Sequence, residues 1–335
     1  MHRFERRVAW VSVALLAVCA LGATRAAWPS NVNEQADAVV QHVVSQSNVH
    51  AALAVTPGPA PATTAGPPAA AAVAPTSSDE PPAPPEVEMV GFSASNGPRS
   101  FAVTVWYPAA PGRYPLVVLA HGYGASASSY EDMEVQLAGS GFVVAAPDFP
   151  FTSANSEWLD RGDVVNQAAD ISALVTELTT PESVPAALRG RIAGGPVGVI
   201  GHSDGGITAA AVAYNSSVAD PRVGAAVVLS GAEIMYGGPW FTTASPPLLA
   251  IHGDADEVNP YWSSEQLFAD ATGPRWLVTV RGGGHVGPYT NGWVEPAVAA
   301  LIADFLHAQL QRDPAAAARI EPDANADGLA LANAG

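Results

Sequence analysis

Lysine is absent from the chain, and its 14 basic residues, all arginines, stand against 31 acidic ones. The net charge of −17 leaves no basic surface of the kind that binds a phosphate backbone, which argues against nucleic acid as a partner. An acidic balance mainly favours solubility and carries little information about the fold.

Cysteine is nearly absent as well. The single Cys19 lies close to the N-terminus, so the rest of the chain has no disulfide and no cysteine-based metal site. The sequence also lacks a histidine or cysteine cluster, a phosphate-binding Gly-Lys motif and a dinucleotide-binding glycine pattern. We therefore expect a function that uses neither a metal nor a cofactor.

The first 27 residues have the pattern of a cleaved export signal. Basic residues precede the uncharged run Val8–Thr24, and small residues follow it, where a signal peptidase could cut. That run is at the short limit for a spanning helix, which needs about 20 residues, so we favour cleavage over a lasting membrane anchor. The predicted location is extracellular or associated with the cell envelope.

Composition divides the remaining chain into three parts. Residues 28–85 end in an Ala- and Pro-rich tract that cannot bury a core, so we expect a spacer and linker there. Residues 86–313 are long enough for one catalytic domain. We expect the protein to be a monomer. Residues 314–335 are rich in Ala, Asn and Asp without periodicity, which predicts a disordered tail.

Short apolar runs alternate with helical patterns inside residues 86–313. Strands are predicted at Phe101–Tyr107, Pro115–Ala120, Phe142–Ala146, Val197–Ile200, Val223–Leu229, Pro247–Ile251 and Trp276–Val280, and helices at Val164–Leu178, Gly206–Tyr214 and Gly292–Leu310. Such an alternation indicates an α/β fold with a mostly parallel central sheet and helices on both faces. The connections are too short for a large lid, so we expect an open cleft.

The segment Gly201–Gly205 reads G-H-S-D-G and lies between the strand Val197–Ile200 and a helix. Glycines around a serine let a strand turn sharply into a helix, which exposes the serine hydroxyl above the sheet edge. Ser203 is therefore the predicted nucleophile, and it needs a base to remove its proton.

Three histidines follow Ser203 in the chain, and position separates them. His285 follows a strand and a glycine run, so its loop can aim the imidazole at the serine. His252 ends a buried strand, which suggests a structural role, and His307 lies within a helix. His285 is therefore the predicted base.

The acid that orients the base is expected after the strand Pro247–Ile251. Asp254 and Asp256 both lie in the loop that follows it, and composition does not separate them.

An oxyanion hole needs two main-chain N–H groups. One comes from the residue after the nucleophile, Asp204, and the other from the loop after an earlier strand, where Tyr123 is the predicted donor. The Asp204 carboxylate would oppose a developing oxyanion, so we expect it to point away, into a salt bridge or toward a helix N-terminus.

Together these motifs resemble the α/β-hydrolase superfamily, and within it the secreted branch without a lid. That branch includes bacterial cutinase-like polyester hydrolases, dienelactone-hydrolase-like proteins and platelet-activating-factor acetylhydrolase relatives. The resemblance to polyester hydrolases implies that Tyr123 also clamps the acyl group and that Trp240 forms the other wall of the ester cleft. It also favours Asp256 as the acid, because the family acid precedes a proline by four positions, as Asp256 precedes Pro260.

The chain departs from members of that branch at several points. Polyester hydrolases usually have a methionine after the nucleophile, where this chain has Asp204, and a C-terminal disulfide, for which it has no cysteine. Dienelactone hydrolases use a cysteine nucleophile, which is also missing.

The predicted function is that of a secreted serine ester hydrolase, of the carboxylesterase, lipase or cutinase-like type. Its triad would be Ser203, Asp256 and His285, its intermediate an acyl-enzyme, and its substrate a lipid, a small ester or a polyester. The alternative is an acyltransferase that uses the same triad with an alcohol as acceptor.

Overall fold

The computed structural model describes residues 86–242 and 245–335. The predicted signal peptide and the predicted spacer and linker, residues 1–85, lie outside the described residues.

The described residues form one mixed sheet of nine strands in the order β1-β2-β4-β3-β5-β6-β7-β8-β9. The strands are β1 Val87–Asn96, β2 Arg99–Pro108, β3 Leu116–Ala120, β4 Val143–Pro147, β5 Val197–His202, β6 Val223–Leu229, β7 Leu248–Gly253, β8 Arg275–Val280 and β9 Leu329–Ala334. Strands β3 to β8 run parallel to their neighbours among themselves, whereas β1, β2 and β9 add antiparallel pairings at the two sides. This confirms the predicted mostly parallel sheet.

Helices cover both faces of the sheet. Successive residues of each buried strand point to opposite sides, and because these residues are apolar, both faces must be covered. They are α1 Glu131–Gly139, α2 Val164–Thr179, α3 Asp204–Tyr214, α4 Trp262–Asp270, α5 Gly287–Thr290, α6 Glu295–Leu310 and α7 Pro314–Asp323. Val118 and Val199 belong to the core beneath α2, α3 and α4. Val117 and Ile200 belong to the core beneath α1, α6 and α7.

The C-terminal residues 314–335 are ordered, which corrects the prediction of a disordered tail. Asp313 caps α7, since its carboxylate accepts hydrogen bonds from the N–H groups of Ala315 and Ala316. The helix buries Ile320, and β9 then pairs antiparallel with β8. The segment lacks periodicity, but the open edge of β8 supplies main-chain partners that the sequence alone does not reveal.

No helix among the described residues combines the length and the apolar character needed to cross a membrane.

A buried carboxyl group on α1 makes the stability of the protein depend on pH. Both carboxyl oxygens of Glu134 are buried, and no described residue forms a hydrogen bond of normal geometry with them. Burial, together with the nearby charges of Glu131 and Asp148, raises the pKa of Glu134 well above its usual value. The nearby Trp106 side chain opposes the rise in the pKa of Glu134, but its effect is smaller than that of burial. The unfolded chain therefore ionises this group at a lower pH than the folded protein, and stability is lost as pH rises from about 4.5 through the folded pKa.

Glu134→Gln is expected to stabilise the protein at pH 8 by about 1–3 kcal/mol, because the neutral amide avoids the cost of ionising a buried carboxyl group. The gain should be smaller at pH 5, because the raised pKa of Glu134 keeps more of the carboxyl group protonated there than at pH 8. Thermal unfolding of both proteins at the two pH values measures it, with the exposed Glu321→Gln on α7 as a control. Equal changes at pH 5 and pH 8 would contradict this account.

Candidate active site

The serine of the G-H-S-D-G segment lies at a sharp turn between β5 and α3. Ser203 has φ 56° and ψ −122°, a conformation that residues with a side chain rarely adopt. Its main-chain N–H donates to the carbonyl of Leu229 at the end of the neighbouring β6, at 2.9 Å. Strained backbone of this kind is common where a catalytic side chain must be exposed.

Two positions of this turn require glycine because main-chain atoms of neighbouring segments approach them closely. A Cβ atom on Gly201 would lie 1.9 Å from the carbonyl oxygen of Gly205, and one on Gly205 would lie 2.1 Å from the carbonyl oxygen of Ala120. Any side chain at either position would collide with main-chain atoms. The glycine spacing of the motif is therefore a steric requirement of this turn.

The structure brings Ser203, His285 and Asp256 together at the carboxyl edge of the sheet. His285 Nε2 lies 2.8 Å from Ser203 Oγ, and His285 Nδ1 lies 2.8 Å from Asp256 Oδ2. The His285 and Asp256 side chains are almost fully buried. The three groups form one line of hydrogen bonds along which a proton can leave the serine for the imidazole.

The two candidate acids have different partners. Asp254 accepts a hydrogen bond from the main-chain N–H of Gly282 at 2.6 Å, which makes it part of a turn. Asp256 faces His285, and its other oxygen, Oδ1, accepts from the N–H groups of Val258 and Asn259, each at 2.8 Å. Only Asp256 has the contact that an orienting acid needs.

A second histidine also reaches the carboxylate of Asp256. His252 Nε2 lies 3.2 Å from Asp256 Oδ2 and 3.1 Å from the carbonyl of Asn259, and its Nδ1 lies 2.7 Å from Ser264 Oγ. Burial alone would raise the pKa of Asp256, but the hydrogen bonds from His252 and His285 outweigh it and hold that pKa far below its usual range. The carboxylate therefore stays ionised beside His285.

Two main-chain N–H groups near Ser203 have no acceptor among the described residues. In the oxyanion loop (residues 121–125), the N–H groups of Gly122 and Gly124 donate to Tyr130 Oη and to the carbonyl of Thr152, which leaves that of Tyr123 free. The N–H of Asp204 is free at the first turn of α3. The loop lies against the serine, since a Cβ atom on Gly122 would be 3.3 Å from Ser203 Cβ.

The carboxylate of Asp204 forms the salt bridge that we expected. Arg161 donates from Nε and Nη2 to the two carboxylate oxygens, at 2.8 and 2.7 Å. Arg161 lies just before α2, in the loop that follows β4. The ion pair neutralises a charge that would otherwise stand beside the oxyanion site.

Arg161→Ala is expected to destabilise the protein, because it leaves the buried Asp204 carboxylate unpaired. The loss should be about 2–3 kcal/mol, below the 3–5 kcal/mol typical of fully buried pairs, because the Arg161 side chain is 44% exposed. Urea unfolding measures it. The double variant Arg161→Ala/Asp204→Asn should recover most of the loss, and equal stability of the single and double variants would contradict the explanation.

Trp240 does not belong to the site. It pairs with Asn215, just beyond the end of α3, and its ring packs edge-on against Tyr236 at 6.5 Å. Because α3 has 11 residues and starts next to Ser203, this end lies roughly 16 Å along the helix from the serine. The structure therefore places Trp240 at the end of α3 away from Ser203, whereas the resemblance to polyester hydrolases placed it at the ester cleft.

Sequence reasoning missed the direct partners of the site. The sequence indicates a structural role for His252 but does not reveal its contact with Asp256, and it does not single out Arg161 as the partner of Asp204. A signal for Arg161 does exist: a carboxylate buried at the start of α3 requires a cation, and the whole chain has few.

Comparison with known proteins agrees with this geometry. The profile of the Alpha/beta hydrolase family matches residues 117–335. The chain is similar to a "Bis(hydroxyethyl) terephthalate hydrolase" of Streptomyces coelicolor, with 31% identity over 167 residues, or 49% of this chain and 48% of the relative. The chain thus spans about half the length of that relative. It is also similar to the "Uncharacterized protein YfhR" of Escherichia coli O157:H7, with 26% identity over 224 residues, 63% of this chain and 77% of that protein.

Proposed function

The chain belongs to the alpha/beta hydrolase family, and from this premise we propose that it is a serine hydrolase of carboxylic esters. The observation that carries the proposal is the unbroken line of hydrogen bonds from Ser203 through His285 to Asp256. A hydroxyl at the start of such a line is the usual nucleophile of acyl transfer.

The first half-reaction makes an acyl-enzyme. Neutral His285 accepts the Ser203 proton through Nε2 while the serine oxygen attacks the ester carbonyl carbon. The N–H groups of Tyr123 and Asp204 donate to the resulting oxyanion, and Asp256 stabilises the imidazolium and fixes its orientation. The imidazolium then gives the proton to the alkoxide oxygen, and the alcohol leaves.

The second half-reaction returns the enzyme to its starting state. His285 removes a proton from water, the hydroxide attacks the acyl carbon, and the same two N–H groups hold the second oxyanion. The proton returns to Ser203 Oγ as the carbon–oxygen bond breaks, and the carboxylic acid is released.

The substrate class is proposed from the openness of the site and from the relative. The chain after β6 pairs at Trp240 with Asn215, just beyond the end of α3 that lies away from Ser203, which supports an open cleft. The named activity of the Streptomyces relative is hydrolysis of bis(hydroxyethyl) terephthalate, a diester with two accessible carbonyls. We propose the same kind of small or extended ester here, reached from the surface.

A panel of esters tests this proposal. p-Nitrophenyl esters from acetate to palmitate and bis(hydroxyethyl) terephthalate are incubated with the protein, and free acid is quantified. Hydrolysis of at least one of them, with turnover above the rate without enzyme, is expected. No hydrolysis of any would overturn the substrate class. Adding an alcohol to the same assay distinguishes hydrolysis, in which water accepts the acyl group, from acyl transfer. A transferase would form a new ester in preference to free acid.

Export is also part of the proposal, on the strength of the basic start and the uncharged run that follows it. The intact mass of protein recovered outside the producing cells would show whether about 27 residues are removed.

A further inference from the structure

Two buried polar side chains next to the site have no role in the mechanism above. His202 precedes the nucleophile directly, and Tyr130 ends the short 3₁₀ helix Ala127–Tyr130. Their exposed fractions are 3% and 1%. Burying an imidazole and a phenol hydroxyl is unfavourable unless both are hydrogen-bonded, so their partners reveal what they do.

Tyr130 and His202 belong to a continuous line of three hydrogen bonds. The Gly122 N–H donates to Tyr130 Oη at 3.2 Å, Tyr130 Oη lies 2.7 Å from His202 Nδ1, and His202 Nε2 lies 2.7 Å from the carbonyl oxygen of His285. The line starts at a main-chain donor and ends at a main-chain acceptor. The direction of the first and last bonds is thereby fixed.

That direction defines the protonation of His202. Because the His285 carbonyl only accepts, His202 Nε2 carries the hydrogen, and in the neutral ring Nδ1 then accepts from the Tyr130 hydroxyl. A second hydrogen on the ring would occupy Nδ1, which among the described residues is the acceptor of the Tyr130 hydroxyl hydrogen. Burial, followed by the nearby His285, lowers the pKa of His202 to about 3, so the ring stays neutral in mildly acidic solution.

The two ends of this line lie in the two loops that carry the catalytic groups. Gly122 immediately precedes Tyr123, whose free N–H is the proposed oxyanion donor. The bond from His202 is the only main-chain hydrogen bond of His285 within the described residues. His202 is itself covalently attached to Ser203. The nucleophile, the base and one oxyanion donor are therefore joined through two side chains.

We propose that Tyr130 and His202 are positioning residues that hold the base and the oxyanion loop in register with Ser203. The inference rests on the proposed ester hydrolysis. Neither side chain need touch the substrate. If His285 or Tyr123 moved away from Ser203, kcat should fall more than substrate affinity. The rate of the chemical step depends on near-attack geometry, and a shift of about 1 Å can lower it by up to about 100-fold.

Tyr130→Phe tests this directly, since it removes one hydroxyl and keeps the ring. Tyr214→Phe is the matched control: Tyr214 is a buried tyrosine whose hydroxyl donates to the carbonyl of Pro247, at the far end of α3 from the serine. With p-nitrophenyl acetate, well below the unfolding temperature of either variant, Tyr130→Phe should lower kcat about 10- to 100-fold with KM within about threefold. Tyr214→Phe should leave kcat within about twofold of the wild type.

A pair of substitutions at His202 separates positioning from packing. Gln offers an N–H near the position of Nε2 and can still donate to the His285 carbonyl, whereas Phe fills the space without a donor. His202→Gln should therefore retain more of the wild-type kcat than His202→Phe. Side-chain ¹⁵N spectra add a readout independent of turnover: the wild type should show the neutral Nε2–H form of His202 at pH 5.

The outcomes separate this inference from the proposed function. A wild type that hydrolyses esters, with Tyr130→Phe as active as Tyr214→Phe, would overturn the positioning role alone. A His202 resonance typical of the Nδ1–H form would also overturn it. A wild type that hydrolyses no ester would overturn the proposed function and, with it, the positioning role.

Discussion

Replacing Ser203 with alanine is expected to lower kcat for ester hydrolysis by about 10⁴-fold or more, because it removes the oxygen atom that we propose attacks the ester carbonyl. The change deletes one oxygen and keeps Cβ, so the turn between β5 and α3 should persist. Residual activity above the uncatalysed rate is expected, since the Tyr123 and Asp204 N–H groups still polarise the carbonyl.

Ser216→Ala serves as the control, because Ser216 is exposed just beyond the far end of α3. It should hydrolyse p-nitrophenyl esters like the wild type, and the two variants should unfold at similar temperatures. A Ser203→Ala protein within tenfold of wild-type kcat would mean that another group is the nucleophile.

Asp256→Asn is expected to have the second largest effect, a loss of kcat of about 10⁴-fold. The amide has the shape of the carboxylate, but it lacks the charge that stabilises the imidazolium, and its NH₂ group favours the wrong tautomer of His285. It also weakens the acceptor that His252 and His285 share at Oδ2. Steady-state kinetics with a soluble ester measures the loss.

Asp254→Asn is the matched control, made in the same loop two residues earlier. An asparagine there can still accept the hydrogen bond from Gly282 through its side-chain oxygen, so kcat should stay within about threefold of the wild type. Equal losses in the two variants would contradict the assignment of Asp256 as the orienting acid.

The strand, turn and helix around Ser203 could be predicted because their signal is local. The apolar run of β5, the glycines that permit the turn and the helix after it are contiguous in the chain, and residues 197–214 adopt that arrangement. His285 could also be reached from chain order and its place after a strand. The acid could not be chosen from composition, because Asp254 and Asp256 differ only in which way the loop turns them.

The features that could not be predicted depend on contacts between distant segments. The partner of Asp204 is Arg161, 43 positions away, and no local pattern joins them. Trp240 was placed at the cleft by resemblance, but the path of the chain after β6 sets its position. The C-terminal strand β9 forms because the edge of β8 is available, although the isolated segment has little tendency to form a strand.

Covalent labelling tests the central claim, that Ser203 is an activated nucleophile, most directly. The protein is treated with a p-nitrophenyl phosphonate, and the intact protein mass and the modified peptide are determined by mass spectrometry. The account predicts one phosphonyl adduct per wild-type molecule, located on Ser203, and none on Ser203→Ala under the same conditions. Equal labelling of the two proteins, or an adduct on any other residue, would contradict it.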